Sequence, residues 1–233
     1  MENIFLKSIS ILLSGNSEVT DIVFLSFSVT ILAVILSSLL SLPFAAYLSI
    51  SKFRGKRFIV IFVNSLMALP PVVVGLILYL LVSASGPLAA YQLLYTAEAM
   101  IIAQIIILTP IIISLSKQSI DSCYMNFRDF FIIVGARKYQ QILTMLWETR
   151  ISLTTNLLAA IGRGLSEVGA VIIVGGNIAH QTRVMTTTIA METSRGNLEL
   201  ALSIGILLII ISLFINILLT YFKEKILMNR HEM

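Results

Sequence analysis

Five apolar runs, at about residues 22–50, 58–83, 98–116, 151–175 and 198–222, constrain this chain more than any other feature, because each is long enough to cross a bilayer as a helix. In hydrocarbon every backbone N–H and C=O must be satisfied without water, which leaves helices or a closed barrel. No alternating ten-residue barrel pattern is present. The expected fold class is therefore an all-α membrane protein, a single transmembrane domain over residues 1–233. Composition agrees, since 58% hydrophobic and 12% charged residues cannot clothe a water-soluble globule. A single cysteine, Cys123, excludes an internal disulfide. The apolar stretch from Ile4 to Leu13 lacks the basic flank and cleavage site of a signal peptide, so a short interfacial or partly inserted N-terminal helix is expected.

Charge sets the orientation. The segments around residues 51–57, 117–150 and 223–233 hold 12 of the 16 basic residues, whereas 1–21, 84–97 and 176–197 hold only Lys7, Arg183 and Arg195. The positive-inside rule then puts the N-terminus outside, the C-terminus in the cytoplasm and the long 117–150 segment on the cytoplasmic side. A net charge of +4 reports this topology and contact with anionic lipid heads, with no need of a nucleic-acid partner. In the long segment, Phe127, Phe130, Phe131 and Val134 recur at helical spacing; Ile142, Leu143, Leu146 and Trp147 form a second apolar stripe. Two short helices joined at Gly135 are expected, the second with an apolar face that needs a groove in its own bundle or in a partner.

Three stretches carry candidate chemistry. Pro70 and Pro71 interrupt the second run, predicting a kink; with Val72, Val73 and Val74 the segment reads either as a bend shaping the bundle or as a hinge and dry hydrophobic valve on a transport path. Arg163 and Glu167 stand four residues apart within the fourth run. In one helix they would share a face and neutralise each other, although Arg before Glu is the less favourable order. Gly162, Gly164 and Gly169 would let another backbone approach them closely. The pair reads as a packing element, or as a pair beside the pathway that changes partners between states. After the fourth run, Gly175, Gly176 and Asn177 end a helix; a short helix around Met185 and Ile189 is expected to stop at Gly196, with Asn197 capping the fifth span. His180, Gln181 and Arg183 in this segment belong either to a plain interfacial loop or to an external docking surface where Arg183 could meet an anion. His180 has no ligand partner at metal spacing.

Two other function classes fit less well. Gly164, Leu165, Ser166 and Glu167 spell G-x-S-x, as in intramembrane serine proteases, but a nucleophilic serine needs a base within hydrogen-bond reach. His180 lies 14 residues beyond Ser166, roughly 20 Å along a continuous helix. An ion-coupled secondary transporter could use Glu167 as a proton carrier, but the spans are few and no inverted repeat is evident.

The stretch RDFFIIVGARKYQ resembles the EAA loop of ABC-importer membrane subunits, with Asp129, Phe130 and Phe131 at the E-A-A positions and Gly135 at the glycine. Downstream, Met145, Trp147 and Glu148 replace the Ile, Leu and Pro of that pattern. LPPVVVG at 69–75 and GRGLSEVGAVIIVGGNIAHQTR at 162–183 resemble the molybdate and tungstate importer permeases in order and spacing. The latter stretch and ETSRGN at 192–197 are most similar to the tungstate type. This resemblance, from about Ser28 to Leu219, implies a homodimeric permease of the cell membrane, importing tungstate or, alternatively, molybdate or another oxyanion. It implies partnership with two cytosolic ATPase subunits and an external binding protein. ATPase coupling falls by the same resemblance to Arg128, Asp129, Phe130, Phe131, Gly135, Ala136 and Arg137, with a coupling helix from Ala136 to about Trp147. The chain has no G-x-x-x-x-G-K-[ST] phosphate loop, so ATP and its Mg are expected on the partner ATPase and no cofactor on this chain.

Overall fold

The computed structural model describes Lys7, Ser8, Ser10 and residues 17–231. The expected N-terminal helix thus falls almost wholly outside the described residues. Among these, every regular element is helical: α1 (Ser17–Ile50), α2 (Lys56–Leu66), α3 (Pro71–Val82), a 3-10 turn (Ala89–Tyr91), α4 (Ala97–Val134), α5 (Lys138–Glu148), α6 (Arg150–Leu165), α7 (Gly169–Gly175), α8 (Met185–Arg195) and α9 (Leu198–His231).

Among the described residues three helices are long and apolar enough to cross a membrane unbroken: α1, α4 and the Leu198–Leu218 part of α9. The second and fourth expected spans are each broken. α2 and α3 are bent by 94° and α6 and α7 by 59°, and counting each bent pair as one span gives five. Pro71 is the first residue of α3, where its missing N–H is no loss, and Pro70 before it is extended, with ψ 121. The second break, at residues 166–168, contains Glu167. Instead of a residue within one continuous helix, it lies between two.

The segment before Gly135 also differs from expectation. α4 does not end near residue 116; it runs on to Val134, so the first of the two expected short helices is the continuation of the third span. Nothing between residues 117 and 134 breaks a helix, and Lys117 pairs with Asp121 one turn later. Gly135 does end it, at φ 66. The Gly135 N–H donates to the Ile132 carbonyl and the Ala136 N–H to that of Phe131, the two bonds of a Schellman stop. Gly196, at φ 79, ends α8 in the same manner through Thr193 and Glu192, and the Leu200 N–H reaches Asn197 Oδ1 at 3.5 Å. The α8 expectation is met; α9 is longer than residues 198–222.

The chain packs as two compact units. In the unit made of Met1–Ala33, Pro70–Gln104 and Gly162–Asn216, α3 lies against α7 so closely that a Cβ on Gly75 would come within 2.7 Å of Ala170 Cα. Between helices in lipid, where tails are as apolar as leucine, such small-residue contact replaces the hydrophobic drive. In the unit made of Val34–Leu69, Ile105–Ile161 and Ile217–Met233, Leu48, Ile120, Phe131, Met145 and Leu153 share a core. Polar ties cross it: Ser114 donates to Asn64 Oδ1 at 2.8 Å and Asn156 to Ser119 Oγ at 3.0 Å.

Candidate functional site

The break between α6 and α7 gathers buried polar chemistry in the first unit. Arg163, in the last turn of α6, reaches Glu167 Oε2 at 2.8 Å. Only 4% of the Glu167 side chain is exposed, against 40% for Arg163. The other carboxylate oxygen accepts from the Ala170 N–H at the start of α7 (3.3 Å), and Thr186 of α8 donates to the Glu167 carbonyl (2.8 Å). Thus the pair is not two residues on one helical face. It spans a helix end, where Arg163 sits favourably at the negative end of α6, and the objection to its order disappears. Gln104 of α4 donates from Nε2 to the Gly164 carbonyl at 3.2 Å, while its buried Oε1 has no protein partner. A cavity of about 10 Å³, room for one water-sized occupant, lies among Ser26, Gln104, Gly164, Glu167 and Thr186.

The glycines around this break are not equivalent. A Cβ on Gly169 would lie 2.6 Å from Val72 Cγ2, whereas one on Gly162 meets nothing within 4 Å. Close approach therefore involves Gly169 and also Gly75, which motif reading did not single out for packing. In α3, Val74 is buried, whereas Val72 and Val73 are exposed. Pro70 and Pro71 set the start of this helix.

At the far end of α4, Arg128, Asp129 and Phe130 are exposed, and Phe131 is buried in the core of the second unit. Gly135, Ala136 and Arg137 form the turn into α5, where Gln140 Oε1 accepts the Arg137 N–H at 2.8 Å. α5 is two-faced. Met145 is fully buried, with Ile142 and Leu146 packed against the same core, whereas Tyr139, Leu143 and Trp147, four residues apart, are all more than half exposed. The expected single stripe of Ile142, Leu143, Leu146 and Trp147 is split: Ile142 and Leu146 face inward, Leu143 and Trp147 outward. Arg150 lies 4.4 Å over the Trp147 ring, a cation–π contact.

His180, Gln181 and Arg183 lie in the turn between α7 and α8, where Asn177 and His180 have positive φ. Thr182 knits the turn by donating to the Gly175 carbonyl and accepting from the Ile178 N–H. Arg183 is not a free cation. It bonds Glu18 at 2.9 Å, and His180 Nδ1 lies 3.6 Å from Asp21. Glu18, Asp21, His180 and Arg183 border a cavity of about 300 Å³. The sequence signal for Glu18 and Asp21 is their i,i+3 spacing in the first turns of α1, which aims both to one side.

Residues 39–228 match the family described as binding-protein-dependent transport system inner membrane component. Among curated proteins, the chain is 37% identical over 221 residues to the tungstate uptake system permease protein of Peptoclostridium acidaminophilum, covering 95% of this chain and 97% of that one. It is 38% identical over 205 residues to a probable anion ABC transporter permease of Haloferax volcanii, covering 86% and 88%. With the tungstate uptake system permease of Campylobacter jejuni it shares 39% identity over 167 residues, 71% and 69% of the two chains.

Proposed function

The chain belongs to the binding-protein-dependent transport system inner membrane components, the non-catalytic permease subunits of ABC transporters, and from that premise we propose that it forms the translocation path of an importer for tungstate. The observation that carries the substrate is the 37% identity to a tungstate uptake permease over nearly the full length of both chains. On this reading two copies pair in the membrane, two cytosolic ATPases supply the ATP chemistry, and an external binding protein delivers the anion. Five spans, each bent pair counting as one, leave the termini on opposite sides, and the basic residues of the 51–57, 117–150 and 223–233 segments favour the N-terminus outside and the C-terminus in the cytoplasm.

Geometry supports a division of labour along the chain. α5 is the coupling helix: its inner face is fixed by Met145, and the outer stripe of Tyr139, Leu143 and Trp147 gives a partner a surface of helical periodicity. ATP binding draws the coupling helices of the two copies together, the spans rock, and hydrolysis resets them. Val72 and Val73 of the first bent pair and Arg163 of the second border the path. Glu167 offsets the charge of Arg163, which softens the trap that a free cation beside the path would set for a dianion. The turn bearing His180, Gln181 and Arg183, with Glu18 and Asp21, receives the binding protein.

The test is uptake in proteoliposomes holding this chain, its ATPase and the cognate binding protein, with tungstate, molybdate and sulfate in competition. ATP-dependent uptake of tungstate that molybdate and sulfate compete against only weakly is expected. Stronger competition by molybdate or sulfate would move the substrate to that oxyanion, and uptake driven by an ion gradient without ATP would overturn the coupling.

A further inference from the structure

Three cationic side chains without ion-pair partners meet in one cleft of the second unit. Lys52 in the turn after α1, Arg128 on α4 and Lys138 at the first residue of α5 line a cleft of about 300 Å³, together with Tyr124, Gln141 and two isoleucines, Ile50 and Ile132. Among the described residues no carboxylate lies within ion-pair distance of any of the three: Asp121 is taken by Lys117, and Asp129, although adjacent to Arg128, forms no pair. The neutral polar groups in the wall are committed elsewhere. Tyr124 donates to Gln141 Oε1 at 3.4 Å and Gln141 Nε2 to the Ala136 carbonyl at 2.8 Å, which fixes the first turn of α5 to α4. The charged groups lining the cleft are all cationic, and they stand beside the positive end of the α5 dipole.

We propose that this cleft binds a phosphate group or another tetrahedral oxyanion. Its chemistry selects for one. Gathering three like charges without a counter-charge is unfavourable, and a single carboxylate would offset only one of them. A tetrahedral oxyanion offers the guanidinium of Arg128 a two-oxygen edge and leaves further oxygens for the point charges of Lys52 and Lys138. Such a group can come from the headgroup of an anionic phospholipid, whose chains would lie against the exposed Ile132, or from a free oxyanion. The site is separate from the α6–α7 break and does not depend on which anion is transported.

The experiment uses the purified permease–ATPase complex in nanodiscs, with native mass spectrometry counting small ligands per permease chain. One arm compares phosphatidylcholine discs with discs that also contain phosphatidylglycerol. The other titrates inorganic phosphate and molybdate into phosphatidylcholine discs. Wild type should retain one ligand per chain. Lys52→Gln should lower its occupancy by about tenfold, the loss of one charged hydrogen bond, and Lys52→Glu should abolish it. Lys52 is exposed, so both variants keep the wild-type melting temperature. Charge-dependent retention of phosphatidylglycerol identifies a lipid site, and charge-dependent retention of phosphate or molybdate a free-oxyanion site. Equal occupancy in wild type and Lys52→Glu in both arms, or no ligand on wild type, overturns the proposal; so does release of the ATPase subunit by Lys52→Gln, which would make the cleft a protein contact.

Discussion

Glu167 ties the α6–α7 break together: its carboxylate holds Arg163 and the Ala170 N–H, and its backbone carbonyl takes Thr186. Glu167→Gln keeps the shape but removes the charge, and because Arg163 is partly exposed and can rehydrate, the expected loss is about 1–3 kcal/mol. A lower melting temperature in detergent and several-fold slower uptake at equal expression are the readouts; normal uptake would remove any switching role. Glycines give a paired test. Gly75→Val forces a side chain against the Ala170 backbone and should cost about 1–3 kcal/mol. Gly162→Ala, where added bulk meets nothing, should be neutral or stabilising by up to about 1 kcal/mol, because alanine favours the helix. From sequence, spacing alone paired Arg163 with Glu167; it could not reveal that a helix ends between them. That end is held by Gln104, 60 residues away, on the Gly164 carbonyl and by Thr186 on the Glu167 carbonyl, contacts that spacing within the motif does not show.

The coupling elements can be tested by contrast. Leu143→Glu and Trp147→Glu alter the outer face of α5 and should reduce co-purification with the ATPase while leaving the stability within about 0.5 kcal/mol of wild type, as for ordinary surface changes. Met145→Glu, on the buried face, should instead prevent folding. Gly135→Val must adopt a left-handed conformation at a cost of about 1–2 kcal/mol, re-aiming α5, and should uncouple ATP hydrolysis from uptake with membrane insertion intact. Much of this was legible: the glycine stop, the second short helix and the α8 boundaries follow from local residue chemistry. The split of the α5 stripe was not. Periodicity reveals which side chains are apolar, and Ile142 and Leu143 are equally so, but only the position of Met145 and Phe131 in a shared core decides which of them turns inward.

Across the whole molecule, the all-helical class was legible because backbone satisfaction in lipid leaves so few options, whereas the count of five spans holds only when each bent pair is taken as one, three helices among the described residues being long enough unbroken. The two bends were only half legible, since paired prolines announce one and nothing so plain announces the other. Orientation can be tested on the protein itself because Cys123 is its only cysteine. In a Cys123→Ser background, Gln92→Cys should react with an impermeant maleimide from outside intact cells, and Tyr139→Cys only after the membrane is opened. The reverse pattern would invert the topology. The pairing of Glu18 with Arg183, 165 residues apart, was beyond reach of the sequence, as was the cleft that joins Lys52, Arg128 and Lys138.

The unbroken course of α4 has a mechanical meaning. Pro110 lies inside it and Gly135 at its end, so the residues between form an arm about 36 Å long at 1.5 Å per residue. Were that arm to tilt at Pro110 as one rigid piece, each degree of rotation would carry its tip by about 0.6 Å. A tilt of a few degrees would then carry α5 by the width of an atom, a gear ratio set by the distance between one proline and one glycine.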